Sequence, residues 1–435
     1  MSLINTLQNI QSDKNRNLKP ENLKKGTTCL GITGTADLLS ITSDADAIAG
    51  DILKGKTAYV NSVKLTGTYE PDNSGTGGSG TFLAPSTISF AYMTESEFDF
   101  SGLDTRNVTN MVNLLYSARN LKNIDVTSFS TSNVTNMHGM FRYCEKATTI
   151  NVADLDTRNV TNMDSMFTYC NNCTTINVSG LNTSSVTSMA SMFSRTNITS
   201  LDLSSFDTSN VTSMDGMFGS LAFKNINLDL SGFNVSKVNR MGSMFYQATK
   251  VKNIDFTGWD TSNLDYAVHM FTQVGTTNLN IGHFNMHKVN NTYSMFQGVP
   301  TTTLNLSDWN TCNLVNSANT FSYMNSMISL YCNNWNTDKL TMAYRTFFYQ
   351  PNLVTLNIAN WNLANVTNIG QMFSTCNSLS DESLDGILGV LSTVNKLSTA
   401  NRTLKVAGFS SDQAAVCATL PNWTNCTAIG WTTGY

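Results

Sequence analysis

A nine-residue phrase recurs along this chain and constrains its fold more than any other feature. It reads Asn133-Val134-Thr135-Asn136-Met137-His138-Gly139-Met140-Phe141, and it returns over 159–167, 185–193 and 210–218. The closing aromatic, or its substitute, falls at Leu115, Phe141, Phe167, Phe193, Phe218, Phe245, Phe271, Phe296, Phe321, Phe347 and Phe373. The steps are 25, 26 or 27 residues. A period this short cannot enclose a core of its own, so each unit must bury its apolar side against its neighbours.

Within one period an alternating segment comes first. Thr148-Thr149-Ile150-Asn151-Val152 is typical, and Ile124-Asp125-Val126, Ile176-Asn177-Val178 and Leu304-Asn305-Leu306 are equivalent. Phe98-Asp99-Phe100, Leu201-Asp202-Leu203 and Leu279-Asn280-Ile281 take the same place, as do 254–256 and 356–358. Period two predicts a strand with its flanking residues inward and its central Asn or Asp outward. A large apolar residue follows at Leu103, Phe129, Leu155, Leu181, Phe206, Phe233, Trp259, Phe284, Trp309, Trp335 or Trp361. Asp-Thr or Asn-Thr turns come next, and their Asn or Asp column is expected to cap turn backbone and to bond between units. Val, Met, Met and Phe then lie at i, i+3, i+6 and i+7, which predicts a short helical or turn piece. Ala267, Thr292, Ser317 and Ala343 replace the first Met in later copies, so looser or rearranged packing is expected there.

The segment 206–218, Phe-Asp-Thr-Ser-Asn-Val-Thr-Ser-Met-Asp-Gly-Met-Phe, resembles leucine-rich repeats of the BspA-like type almost residue for residue. Together with the period, the resemblance implies an α/β leucine-rich-repeat solenoid of about eleven coils. Its expected bounds are 82–378, with a helical C-terminal cap over 379–435. Ser380 to Leu391 and Ser411 to Ala418 read as helices of that cap, and Leu404 to Val406 as a strand.

Ahead of the repeats, two glycine-bounded segments (25–35 and 54–68) read as small hairpins. Leu3, Ile4, Leu7 and Ile10 mark a short amphipathic helix. Residues 1–70 are expected to serve attachment or oligomerisation, and 71–81 is a Gly/Ser linker by composition. The stretches 18–26 and 51–60 resemble segments of bacteriophage tail and fibre proteins. That resemblance implies contact with other tail or baseplate proteins, a virion location and a homo-oligomer, with a trimer favoured. A bacterial cell-surface adhesin of the BspA-like kind is the alternative.

Only 13% of residues are charged, net charge is −4, and no basic run or stripe occurs, which argues against nucleic acid as partner. No apolar run is long enough for membrane insertion, and the N-terminus lacks the pattern of a secretory leader. His283 and His287 straddle a corner residue, and Cys170 and Cys173 form a lone Cys-x-x-Cys, so no metal site is expected. Cys144, Cys170 and Cys376 share a column and read as buried small hydrophobes. No catalytic constellation or cofactor motif is found, and a non-enzymatic recognition role follows, toward a host-surface glycan or protein. The outward column supplies the first candidate binding residues: Asn151, Asn177, Asp202, Asp255, Asn280, Asn305, Tyr331 and Asn357. Loop aromatics Tyr143, Tyr169, Tyr246, Tyr323 and Tyr349 supply the second.

Overall fold

The computed structural model describes residues 84, 86–221 and 227–435. It also gives the backbone of Thr28–Cys29, Ile32–Thr33, Thr57–Val60, Val63–Thr66, Phe82–Leu83 and Ile226. The expected helix near the N-terminus and the linker at 71–81 lie outside the described residues. Both expected hairpins are present as backbone. Thr28–Cys29 pairs antiparallel with Ile32–Thr33, and Thr57–Val60 with Val63–Thr66.

The chain divides into two compact units, one of 1–186 with 200–206, the other of 187–199 with 207–435. Each contains parallel β-solenoid coils. In the first unit Asn123–Asp125, Thr149–Asn151 and Thr175–Asn177 form a three-stranded parallel sheet, in which Ile124, Ile150 and Ile176 lie side by side. In the second, Ile226–Asp229 pairs with Val251–Asp255. Thr303–Asn305, Ser329–Tyr331 and Thr355–Asn357 form another parallel sheet there. The central residue of each triplet, such as Asp125 or Asn305, is exposed or half-exposed, while its apolar flanks are buried. Residues 98–100, 201–203 and 279–281 form no strand, contrary to the alternation. Just before 279–281 the Thr276 hydroxyl donates to the Asn278 carbonyl and accepts its N–H, closing a tight turn.

A second ladder runs through single bridges such as Asn110 to Asn136 to Asn162, and Asn291 to Asn316 to Met342. A third is formed by the Met-Phe segment, and here the structure selects the turn over the helix. The residues two before and two after the closing Phe have φ of about +52 to +71°, as at Gly139 and Tyr143 or Ser243 and Gln247. A left-handed residue every fourth position prevents a helix, because helical N–H groups would have to point along one axis. Alternate N–H groups face the neighbouring coil instead. Met137, Gly139, Phe141 and Tyr143 donate to the carbonyls of Asn162, Asp164, Met166 and Thr168 at 2.8–3.0 Å.

Apolar columns fill the interior of each unit. Every closing aromatic from Leu115 to Phe373 has 0% exposure. Phe141 stacks on Phe167 at 5.5 Å, and Phe296, Phe321, Phe347 and Phe373 follow one another at 5.4–5.6 Å. Trp309, Trp335 and Trp361 make a parallel stack, and each indole N–H donates to a carbonyl of the preceding coil (Ile281, Leu306 and Cys332). Where methionine gives way to Thr292, Ser317, Thr320 and Thr346, packing is rearranged and not loosened. All four are buried, and their hydroxyls bond one another and the Thr292 and Ser317 carbonyls.

The cap is helical. Helix α1 (Asp381–Leu391) starts at Ser380, whose hydroxyl accepts the Ser383 N–H, with Asp381 and Glu382 in the favourable first turn. Leu404–Ala407 is a short helix, α2, and not the expected strand. Thr403 caps its start through the Val406 N–H, and Gly408 at φ +101° ends it, so four residues close one turn. Helix α3 (Ser411–Cys417) carries a capping box between Ser410 and Gln413. Helix α4 (Trp423–Ala428) follows. The cap imitates a further coil: Val406 and Ala407 carbonyls accept the Gln371 and Phe373 N–H groups, and Phe409 stacks on Phe373 at 5.1 Å.

Candidate functional site

The repeated phrase assigns one task to each polar residue. The Asn or Asp before Thr accepts the N–H two residues on, as Asn336 does from Asp338. The following Thr is buried and donates to the neighbouring coil, as Thr337 does to the Asn362 carbonyl at 3.0 Å. The Asn before Val donates in the other direction, as Asn365 does to the Asp338 carbonyl at 2.7 Å. The expected bonding between coils therefore falls mainly to these Thr and Asn residues, and the turn column caps.

The outward strand column has a similar local duty. Oδ1 of Asp125, Asn177, Asp202, Asp255, Asn305 and Asn357 accepts the N–H of residue 127, 179, 204, 257, 307 or 359. Asn151 does the same toward Ala153 and also donates to Asp125. These bonds hold the carboxyls low. The Thr257 hydroxyl and N–H depress Asp255, and the Ser204 N–H and hydroxyl depress Asp202. Two members depart from the pattern. Among the described residues neither Tyr331 nor Asn280 makes this bond, although the Asn280 coil presents Gly282 at the right place.

The loop aromatics fall into separate groups. In the first unit Tyr92 and Tyr116, and Tyr116 and Tyr143, meet edge to face at 5.6 and 5.5 Å, and Tyr143 stacks on Tyr169 at 4.5 Å. Tyr92 and Tyr116 were not legible as members because their copies lack the full repeat phrase. In the second unit Tyr323 meets Tyr349 at 5.5 Å and Phe348 at 5.3 Å. Tyr246 stands one position earlier in its coil than the other four and packs against His269, which in turn meets Tyr293. Burial holds the His269 imidazole below the ordinary histidine range.

A shallow open depression of about 720 Å³ lies where the strand ladder is interrupted, lined among others by Asn278, Asn280, His283, Asn305 and Asp308. Asn280 and Asn305 come from the expected column. His283 and Asp308 are additions, in the column just before the corner residue where other copies hold Ser128, Asp154, Ser205, Gly232, Gly258, Asn334 or Asn360. The histidine in that column is a signal in the sequence that could have found His283, whereas Asp308 has a counterpart in Asp154 and carries no such signal.

The remaining candidates for chemistry are separately engaged. His283 Nε2 lies 3.2 Å from the Phe256 carbonyl, and His287 Nδ1 lies 2.9 Å from Asn285 Oδ1. Cys144, Cys170 and Cys376 are free, fully buried thiols against carbonyls of the preceding coil. Burial pushes Cys376 up to about 12. Among the described residues no group of three His, Cys, Asp or Glu is placed to hold a metal, and no helix is long and apolar enough to cross a membrane.

The family model described as "Mycoplasma protein of unknown function, DUF285" matches four overlapping stretches, 87–197, 146–253, 169–280 and 268–386. The chain belongs to this family. The four matches together run from 87 to 386, so DUF285 membership covers the repeats and the start of α1. No curated protein matches the chain. A solved structure titled "Crystal structure of TLR13-ssRNA13 complex" is similar at 12% identity and a TM-score of 0.18, covering 71% of this chain and 51% of that one. The chain thus spans about half the length of that protein.

Proposed function

We propose that this DUF285 protein is a non-enzymatic recognition component of a phage virion, a tail fibre or receptor-binding protein. In this reading it attaches to tail or baseplate proteins through residues 1–70 and meets a host-surface glycan or protein through its coils. The observation that supports recognition is the presentation of outward side chains in register, one per coil, as in Asn305, Tyr331 and Asn357. Repetition at coil spacing builds an extended surface whose chemistry is set column by column. The phage setting is supported by the fibre-like stretches 18–26 and 51–60 and by the two hairpins. Small hairpins bury little alone, which favours a homo-oligomer, with a trimer as the expected state.

The test is twofold. Mass spectrometry of purified particles should find the chain, and the purified full chain should compete with particles for adsorption to host cells. Absence from particles, with adsorption unaffected, overturns the virion assignment. The BspA-like repeat phrase favours a second reading, a bacterial surface adhesin, which immunolabelling of intact bacteria would reveal. Hydrolysis of a bound glycan by the purified protein would overturn the non-enzymatic reading.

A further inference from the structure

The depression at 278–308 combines several departures from the repeat. The strand ladder stops at Asp255 and resumes at Thr303, so 279–281 carries main-chain groups that pair with no strand. The Asn280 amide, released from the turn bond that the other Asn and Asp residues of its column make, has no hydrogen-bond partner among the described residues. Asp308 is the single charged residue between Lys288 and Asp338, and its carboxylate makes no hydrogen bond or ion pair among the described residues. Tyr331 pairs in register with Asn305 and stands where other coils carry Asn or Asp. Its ring is half-exposed and packs on no other aromatic ring.

Amides offer both a donor and an acceptor, and a carboxylate accepts two donors. One carboxylate in an otherwise uncharged surface repels anions and is too few for a hard divalent cation, which takes six or more oxygens. What satisfies these groups together is a neutral molecule rich in adjacent hydroxyls with an apolar face for Tyr331. We propose that this depression is a subsite for one neutral sugar residue of a glycan, with Asn280, Asn305 and Asp308 bonding its hydroxyls and Tyr331 flanking its ring. The assignment rests on the recognition role proposed above and names the ligand class of one part of that surface.

The full chain is applied to a printed array of neutral, acidic and amino-sugar glycans, and the strongest neutral glycan is titrated calorimetrically. Neutral glycans should be bound in preference. Asn280→Ala, Asp308→Asn and Tyr331→Asn should each weaken binding at least tenfold, with thermal midpoints unchanged because none of these side chains bonds within the fold. Asp412→Asn, at an exposed position of α3 outside both candidate columns, should bind as the unaltered chain does. Failure to bind any neutral glycan, or equal affinity in all variants, overturns the subsite. Preference for amino sugars, lost in Asp308→Asn and in high salt, would make it a cation site and also overturn it. Adsorption competition is measured on the same variants. If the chain still competes for cells while no neutral glycan binds, the recognition role stands and only the subsite falls.

Discussion

At the residue scale, the coils are joined by buried hydroxyls as much as by apolar columns. Thr337 is the clearest case. Its side chain donates to the Asn362 carbonyl at 3.0 Å and accepts the Asn362 N–H at 2.7 Å, at 1% exposure. Thr337→Val keeps the shape and leaves both main-chain groups unpaired. A loss of about 1–3 kcal/mol is expected, since an unsatisfied buried group costs about that much. Urea denaturation should show a lower midpoint at an unchanged slope, and an unchanged midpoint would count against the role assigned to this hydroxyl. Gly275 makes the complementary point. A methyl group there would collide with the Thr249 carbonyl oxygen, which is backbone and cannot turn aside, whereas a methyl on Gly232 meets nothing within 4 Å. Gly275→Ala should therefore destabilise by about 1–3 kcal/mol, as overpacking does. Gly232→Ala should cost far less, and equal thermal shifts in the two variants would refute the steric account.

At the element scale, the Met-Phe segment takes the turn and not the helix of the two forms its spacing allows, for an instructive reason. Apolar spacing at i, i+3, i+6 and i+7 reports which side chains point inward, and here it is right: Val134, Met137, Met140 and Phe141 are all at 0% exposure. It does not report where the N–H groups go. That was legible only at Gly139, Gly216 and Gly298, where glycine marks positive φ. Ser165, His269 and Arg345 adopt the same conformation without announcing it. Helix α1 was legible because capping residues and the apolar face agreed, whereas α2 was hidden because four residues leave no periodicity to read. The cap makes its own prediction. The Ser383 hydroxyl accepts the N–H of Leu356 at 3.0 Å and donates to the Val354 carbonyl at 3.1 Å, so it closes the last strand as a further coil would. Ser383→Ala should cost about 1–3 kcal/mol, because it leaves the buried Leu356 N–H unpaired while the Val354 carbonyl keeps the Ser380 N–H. Amide exchange of Leu356 should accelerate, while Ile150, in the other unit, stays protected. Protection of Leu356 equal to the unaltered chain would show that the hydroxyl is dispensable.

At the scale of the whole molecule, the columns were legible because they recur, and the exceptions carrying the candidate subsite were harder to read for the same reason. Asn280 looks like any column member until its missing turn bond is seen, and Asp308 stands in a column with no assigned role. Repetition also makes the carboxylates act in concert. The Ser209 hydroxyl and N–H hold Asp207 below its ordinary value, as the Ser262 hydroxyl and N–H do for Asp260 and the Thr257 pair for Asp255. In Asp104 and Asp156 the Arg106 and Arg158 side chains are the leading cause. A carboxyl with a lowered folded pKa contributes stability that is present above its unfolded value, about 3.9, and is lost as pH falls through the folded value. The denaturation midpoint should thus be flat from about pH 7 to 5 with respect to these groups and decline below about 4. Asn fills the same columns at Asn234, Asn285 and Asn305, where its Oδ1 accepts the same bond without titrating. Asp207→Asn, Asp255→Asn and Asp260→Asn combined should therefore keep the neutral midpoint and flatten the acid decline. A triple variant that declines as steeply as the unaltered chain would show that acid sensitivity arises elsewhere than in these turns.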